Sequence, residues 1–297
     1  MTADKQPYCS QIARQDQISL IGTATRADNW FLVEYPAAWE SKAFEGSQIP
    51  DEVKDYLTAA VEGVRVLLIR KTGKAKHKGL HFFAIQGDAL EPKMYGYQID
   101  DYTDLLEIDL SYMTSGRPGD PAHLREKPLY LACANGKRDR CCAKFGMQVF
   151  KAMSAIDPEA VWQSSHIGGH NKAPVTLFFP HGLNYGMTSS DDIRNLMGEY
   201  QRGRVGLEFY RGRVVYDTHL QAGEHFWREH TGILDLPGME VVSVEELGDN
   251  EWWIDVHGVD GADHHSFHVR QEVSDIEIPM TCSGKKVEKL SRFVWVE

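Results

Sequence analysis

The sequence has few cysteines and no long apolar run. Its 297 residues include only five cysteines, and an odd number at such low density argues against a disulfide framework. No apolar run approaches the roughly 18 to 20 residues that a membrane helix needs. The opening residues MTADKQPYCSQ also lack the charged and then apolar layout of a signal peptide. We therefore expect a cytoplasmic protein that has no membrane contact.

Positive charge is also scarce. The chain has 32 Lys and Arg residues against 43 Asp and Glu residues, a formal net charge of -11. Proteins that bind nucleic acid non-specifically neutralise phosphates with Lys and Arg, so we expect no nucleic-acid partner. No internal repeat or low-complexity tract is present. What the chain does have is 42% hydrophobic residues and seven Trp, enough to bury a substantial core.

The N-terminal part reads as an α/β region. The run NWFLVEYP is typical of a buried strand, and residues 51–63 show the four-residue spacing of an apolar helix face. Three further strands are predicted over residues 64–71, 79–86 and 105–110. The Gly- and Pro-rich stretch MTSGRPGDPAH at 113–123 is the best candidate boundary, which gives a first domain over residues 1–120.

The middle part, residues 121–204, alternates between the strand and helix periods. The pattern predicts strands over 128–134, 161–165 and 174–179, helices over 142–153 and 190–203, and a turn over 181–186. The order strand, loop, helix, strand, strand, helix is typical of a small thioredoxin-like α/β domain. Residues 205–297 mix strands with one helix and predict an α+β extension without evident chemistry. The expected fold class is therefore α/β (α+β), with a thioredoxin-like core.

Two short stretches in this middle part carry residues suited to metal chemistry. In LACANGKRDRCCAKFG, Cys133 ends a predicted strand and Cys142 opens a predicted helix. Helix N-terminal amides and nearby cations favour the thiolate form that binds metal. In SSHIGGHNKAP, His166 and His170 flank two glycines that allow the backbone to curl inward. Cys141 is interpreted as a packing or reserve thiol.

Two thiolates and two imidazoles suit either tetrahedral zinc or a 2Fe-2S cluster. Eight residues separate Cys133 from Cys142, whereas structural zinc sites favour two to four residues between paired cysteines. A long cysteine loop is more typical of iron-sulfur ligation, but the His-x3-His spacing alone permits zinc. The spacing alone therefore does not decide between zinc and a 2Fe-2S cluster.

The motifs resemble those of the sucrase/ferredoxin-like family, whose core is a thioredoxin-like 2Fe-2S ferredoxin. The resemblance rests on CANGKRDRCCAKFG, VWQSSHIGGHNKAPVTLFFPHGLNYG and the opening CSQIARQDQISLIGTA, and it covers residues 8–204. Residues 205–297 resemble the family only loosely, mainly through PMTCSGK. Many relatives carry a histidine two residues after the first cysteine, where this chain has Asn135, so that position is not expected to be a ligand.

The resemblance implies a ligand set and a function. In the branch with Cys-x8-Cys and His-x3-His, the cluster ligands fall on Cys133, Cys142, His166 and His170. The expected protein is then an electron carrier with one 2Fe-2S cluster and a redox partner protein, more a carrier than an enzyme. Two alternatives stay open. One is a structural zinc protein with the same four ligands, and the other is a thiol oxidoreductase that uses the adjacent Cys141 and Cys142.

Overall fold

Helices and strands are mixed along the whole chain. The computed structural model describes residues 7–72, 79–115, 117–258, 261 and 264–296. The mixture of helices and strands confirms the expected α/β (α+β) fold class. No helix in this described part is long and apolar enough to cross a membrane. The α-helices are α1 Cys9–Gln15, α2 Asp51–Ala59, α3 Tyr112–Ser115, α4 Met147–Ser154, α5 Ser190–Gln201 and α6 Thr218–Thr231.

A nine-stranded sheet forms the centre of the protein. Its strands lie in the order β4-β3-β1-β2-β6-β5-β7-β8-β9. The inner strands are almost fully buried, as expected for apolar runs covered on both faces. The strands are β1 Asn29–Glu34, β2 Arg65–Arg70, β3 Leu80–Gln86, β4 Lys93–Ile99, β5 Leu129–Cys133, β6 Val161–Ser164, β7 Val175–Phe179, β8 Leu183–Gly186 and β9 Tyr210–Arg213.

Four neighbouring strands of this sheet have the predicted thioredoxin-like layout. Strand β5 pairs parallel with β6 and antiparallel with β7, and β7 pairs antiparallel with β8. Helix α4 connects the parallel pair, and α5 follows β8. The buried sides of both helices pack on these strands through Val149, Met153, Ile193 and Met197. The parallel pair positions the site, because the carboxyl ends of β5 and β6 lie at the same edge.

The sheet continues across both predicted domain boundaries. Strand β2 pairs with β6 across position 120, and β8 pairs with β9 across position 204. The division into residues 1–120, 121–204 and 205–297 stays a prediction about folding units. Of the boundary stretch 113–123, residue 116 lies outside the described residues.

The C-terminal region adds a second, antiparallel sheet. Its strands are β10 Glu240–Gly248, β11 Glu251–His257, β12 His264–Pro279 and β13 Val287–Val296. Helix α6 packs against this sheet and against β9. Strands β12 and β13 form a long hairpin whose far end reaches α1. A buried ion network, in which Glu224 of α6 pairs with Arg213 and Arg228, joins α6 to the central sheet.

Two sequence predictions of local structure were wrong, and one strand was not predicted. Residues 105–110 do not form a strand, because Asp101 and Asp104 make a capping box that starts a 3-10 helix at Tyr102–Glu107. Strand β4 was missed, since Gly96 interrupts its apolar pattern. The segment 181–186 is not all turn, because Gly182, with φ of 64°, reverses the chain at once and β8 follows.

Candidate metal centre

The predicted ligands Cys133 and His166 lie at the carboxyl ends of two parallel strands. Cys133 is the last residue of β5 and is opposite Ser164, the last residue of β6. His166 follows two residues later. Ser165 is held by hydrogen bonds to β2, since its backbone N–H donates to the Leu68 carbonyl oxygen over 2.7 Å. Ligand sites commonly form at this edge of parallel strands, where successive loops meet.

Cys142 reaches Cys133 because the helix behind it packs unusually close to the strand. The predicted helix over 142–153 opens with a π-helical turn, Cys142–Gly146, before α4 begins. A Cβ atom added to Gly146 would lie 1.8 Å from the Cys133 carbonyl oxygen. Only glycine therefore permits this approach. The π-turn is a local irregularity of the kind often found at functional sites.

The histidine loop depends on its two glycines, as the sequence predicted. Gly168 and Gly169 have φ values of 125° and 71°, which L-residues with a side chain rarely adopt. A Cβ atom on Gly168 would lie 2.1 Å from Thr25 Oγ1. A Cβ atom on Gly169 would lie 2.6 Å from a guanidinium nitrogen of Arg211. The loop is thus curled tightly against the rest of the protein.

The structure brings all four predicted ligands side by side, three of them to mutual ligand distance. His166 Nδ1 lies 3.8 Å from Cys133 Sγ and 3.9 Å from Cys142 Sγ. These three residues form a group that could hold a metal ion. His170 reaches the other side of the same ring, with its Nδ1 3.3 Å from His166 Nε2. We call Cys133, Cys142, His166 and His170 the first group.

Burial and hydrogen bonding set the protonation of the first group. Both cysteines are buried, whereas both histidines are partly exposed. A hydrogen bond from the Cys142 thiol holds the pKa of Cys133 well below its usual range, against desolvation, and His166 adds to this lowering. The pKa of Cys142 is correspondingly raised by that hydrogen bond and by burial. Burial, and then the nearby His166, lower the pKa of His170. Cys133 is therefore the more readily deprotonated of the two thiols, and His170 favours the neutral form that binds metal.

Sequence reasoning missed two arginines that support this site. Arg65 donates a hydrogen bond to the Ile167 carbonyl oxygen over 3.0 Å, and Arg211 donates to the Gly168 carbonyl oxygen over 3.3 Å. Desolvation lowers the pKa of both guanidinium groups, to about 9 for Arg211, and the Cys133 thiolate opposes this lowering. The positive charges of Arg65 and Arg211 therefore lie near Cys133. Neither arginine is near the motifs in sequence, so only the tertiary fold reveals them.

The basic residues of the cysteine loop have other contacts. Lys137 forms an exposed ion pair with Glu40, and Lys144 lies over the ring of Tyr8. Arg140 donates to the Cys282 carbonyl oxygen over 3.2 Å. Arg138 lines a cleft of about 410 Å³ that His166 also lines. Asn135 shapes the loop by donating to the Glu40 carbonyl oxygen and accepting from the Arg138 backbone N–H.

The adjacent thiols Cys141 and Cys142 belong to different neighbourhoods. Cys142 faces Cys133 and His166, whereas Cys141 Sγ lies 3.4 Å from Cys9 Sγ and 3.0 Å from Cys282 Sγ. Cys141 is buried, as its interpretation as a packing residue requires, but its closest neighbours are two further cysteines. All five cysteines are free thiols.

Comparison with known families agrees with the motifs. A family profile described as sucrase/ferredoxin-like matches residues 20–212. The chain belongs to the sucrase/ferredoxin-like family. The match includes the whole first group, and it begins after Cys9 and ends before Cys282. The family membership thus confirms the resemblance seen in the sequence.

One solved structure is similar to part of this sucrase/ferredoxin-like protein. It is a cysteine-to-serine variant of the thioredoxin-like [2Fe-2S] ferredoxin from Aquifex aeolicus, with 15% sequence identity and a TM-score of 0.26. The similarity covers 29% of this chain and 100% of the ferredoxin. No curated protein matches the chain.

Proposed function

We propose that this protein transfers single electrons through one 2Fe-2S cluster bound by Cys133, Cys142, His166 and His170. The observation that carries the proposal is the convergence of two buried thiols and the His166 imidazole at one sheet edge, with His170 beside them. Thiolate and imidazole ligands together are a donor set that 2Fe-2S clusters use. The sucrase/ferredoxin-like family and the thioredoxin-like strand order support the same function.

The sulfur side and the histidine side of the first group differ in their exposure to solvent. The buried cysteines exclude water from the sulfur side, while the partly exposed His166 lines the cleft beside Arg138. The histidine side is therefore the side from which an electron partner approaches. A bound cluster would supply the one-electron chemistry, and with two thiolates and two neutral imidazoles it is formally neutral when oxidised. Its potential should lie above that of ferredoxins with four cysteine ligands.

The proposal includes a redox partner protein and a cytoplasmic location. Arg138 and the nearby Lys42 and Arg65 place positive charge around the cleft, which favours an acidic docking face on the partner. The thiols must stay reduced until they bind metal, and the cytoplasm keeps free cysteines in that state.

Metal, sulfide and spectroscopic measurements on one preparation test this function. Protein purified in air should be red-brown, contain iron and acid-labile sulfide in equal amounts, and give an EPR signal of mixed nitrogen and sulfur ligation after dithionite reduction. Cys133→Ser and His170→Ala should both remove the colour. A colourless wild-type protein that contains neither iron nor sulfide after anaerobic reconstitution would refute the proposal.

A second candidate is one zinc ion in the first group. The sulfur to nitrogen distances of 3.8 and 3.9 Å favour it. Two ligand atoms about 2.3 and 2.05 Å from one tetrahedral ion would lie about 3.6 Å apart. A binuclear cluster would need the imidazole to lie farther from the two sulfurs than these distances. Zinc bound in place of iron, and lost in Cys133→Ser, would support this candidate.

A further inference from the structure

A second set of cysteines lies outside the first group. Cys9 begins α1, Cys141 precedes the π-turn, and Cys282 lies at the tip of the β12–β13 hairpin. Their three Sγ atoms are 3.0, 3.4 and 3.6 Å apart. The chain separates them by 132 to 273 positions, so the fold alone brings them together.

The carboxylate of Asp139 completes this set. The backbone N–H groups of Cys141 and Cys282 each donate to one of its oxygens over 2.8 Å. The backbones of Cys141 and Cys282 thus hold the carboxylate beside the three sulfur atoms. Ser10 Oγ donates to Cys141 Sγ over 3.2 Å. Asp139 is 6% exposed and Cys282 is 5% exposed, and the other two cysteines are more deeply buried.

We propose that Cys9, Cys141, Cys282 and Asp139 form a second metal site that binds one zinc ion, and we call them the second group. A metal ion offsets the repulsion between thiolates and a carboxylate that are packed this closely in a buried place. The four residues are one of the two groups in the described part of the chain that could hold a metal. The site is argued from its own four residues, and its metal analysis rests on the proposed function in taking iron as the metal of the first group.

The geometry and the ligand types select zinc. Around a tetrahedral zinc ion with Zn–S distances of about 2.3 Å, sulfur atoms lie about 3.8 Å apart. The three sulfurs therefore need to separate by less than 1 Å. Thiolates select soft or borderline metals over Mg²⁺ and Ca²⁺, and a carboxylate oxygen is a common zinc ligand. The closed environment, with Tyr8, Phe145 and Ala173 packed around the sulfurs, is typical of a structural site.

Zinc bound by the second group would crosslink three segments that are distant in sequence. Helix α1 and the C-terminal hairpin would be joined to the loop that also supplies Cys142 to the first group. The hairpin also contacts the residue next to His170, since Asn171 Nδ2 lies 3.5 Å from Met280 Sδ. The second group would therefore hold the hairpin against Asn171.

Elemental analysis of the full-length protein, purified without chelators and with reduced thiols, separates the two groups. The wild-type protein should contain about one zinc ion per chain. Cys282→Ser should lower zinc at least tenfold and leave iron unchanged, and Cys133→Ser should do the opposite. Ser283→Ala, at an exposed position of the same hairpin tip, serves as the matched control and should change neither metal.

Two measurements on the wild-type protein keep the proposal testable if Cys282→Ser does not fold. Zinc-edge X-ray absorption should show three sulfur ligands and one oxygen ligand, whereas zinc in the first group would show nitrogen ligands. Iodoacetamide should label Cys9, Cys141 and Cys282 at least tenfold faster after zinc is chelated. The proposal is overturned if zinc is absent after reconstitution, if zinc is lost with Cys133 and not with Cys282, or if two of the three thiols form a disulfide.

Discussion

The first and second groups differ in how the chain assembles them and in what surrounds them. The first group comes from residues 133–170 and lies at one edge of parallel strands, with His166 beside a cleft. The second group joins residues 273 positions apart, and all four of its members are buried. An electron-transfer site needs an approachable edge, whereas a structural metal needs to exclude water. The neighbouring residues Cys141 and Cys142 would thus belong to two proposed sites of opposite character.

Replacing Glu224 should have the largest effect and should act through the C-terminal region that carries Cys282. Glu224 is 0% exposed and pairs with the equally buried Arg213 and Arg228. Glu224→Gln leaves two buried charges without a counter-ion, so we expect a loss of about 3 to 5 kcal/mol in the free energy of unfolding. Denaturant unfolding of both proteins measures this loss of free energy.

The matched control is Glu199→Gln, because Glu199 also pairs with two arginines but at the surface. Its effect on the free energy of unfolding should be far smaller, because water and salt screen exposed ion pairs. Equal losses for both variants would mean that burial of the network contributes nothing. Faster labelling of Cys282 in Glu224→Gln, with the first group unaffected, would sharpen the distinction between the groups.

Gly146→Ala should affect both groups together. The new Cβ atom would meet the Cys133 carbonyl oxygen, so the π-turn must shift, and Cys141 and Cys142 shift with it. Overpacking of this kind costs about 1 to 3 kcal/mol, and we expect iron and zinc contents to fall in parallel. Gly198→Ala, within α5, meets only ordinary contacts and should leave both metals unchanged. Loss of a single metal would contradict the shared turn.

Gly168→Ala should affect the first group alone. The added Cβ atom meets Thr25 and the backbone must hold a φ of 125°, at a cost of about 1 to 3 kcal/mol. Gly63→Ala is the control, since Gly63 has a φ of 70° but an added Cβ would meet nothing within 4 Å. Iron binding should weaken in Gly168→Ala and not in Gly63→Ala, with zinc retained in both. Reconstitution of the apo-proteins with iron, sulfide and zinc, followed by elemental analysis, shows whether this holds.

Arg138→Gln should have the smallest effect, on rate and not on stability. It removes one positive charge from the cleft beside His166, so reduction by the dianion dithionite should slow a few-fold at low salt and recover at high salt. Lys137→Gln should change the rate less, because Lys137 is already paired with Glu40. Stopped-flow reduction measures both. An unchanged rate in Arg138→Gln would mean that electrons do not enter through the cleft.

The first group could be predicted from the sequence because its residues follow local patterns. Strand β5 and the helix start around Cys142 are readable from periodicity, and the positive φ values of Gly168 and Gly169 agree with the curled loop expected for HIGGH. The supporting Arg211 and the pairing of β2 with β6 were not predictable, since both depend on how distant segments pack. The second group was missed for the same reason. Cys9 and Cys282 look like isolated thiols until α1 and the hairpin are placed beside Cys141.

The position of Cys282 at the end of the long hairpin has a consequence for how the protein is made. Chains fold from the N-terminus during synthesis, so the residues of the first group leave the ribosome well before the hairpin exists. During that interval Asn171 of the histidine loop lacks its contact with Met280 of the hairpin. A chain that stops before residue 282 keeps all four residues of the first group but lacks a thiol of the second. Closure of the proposed second group would thus require that synthesis has passed residue 282.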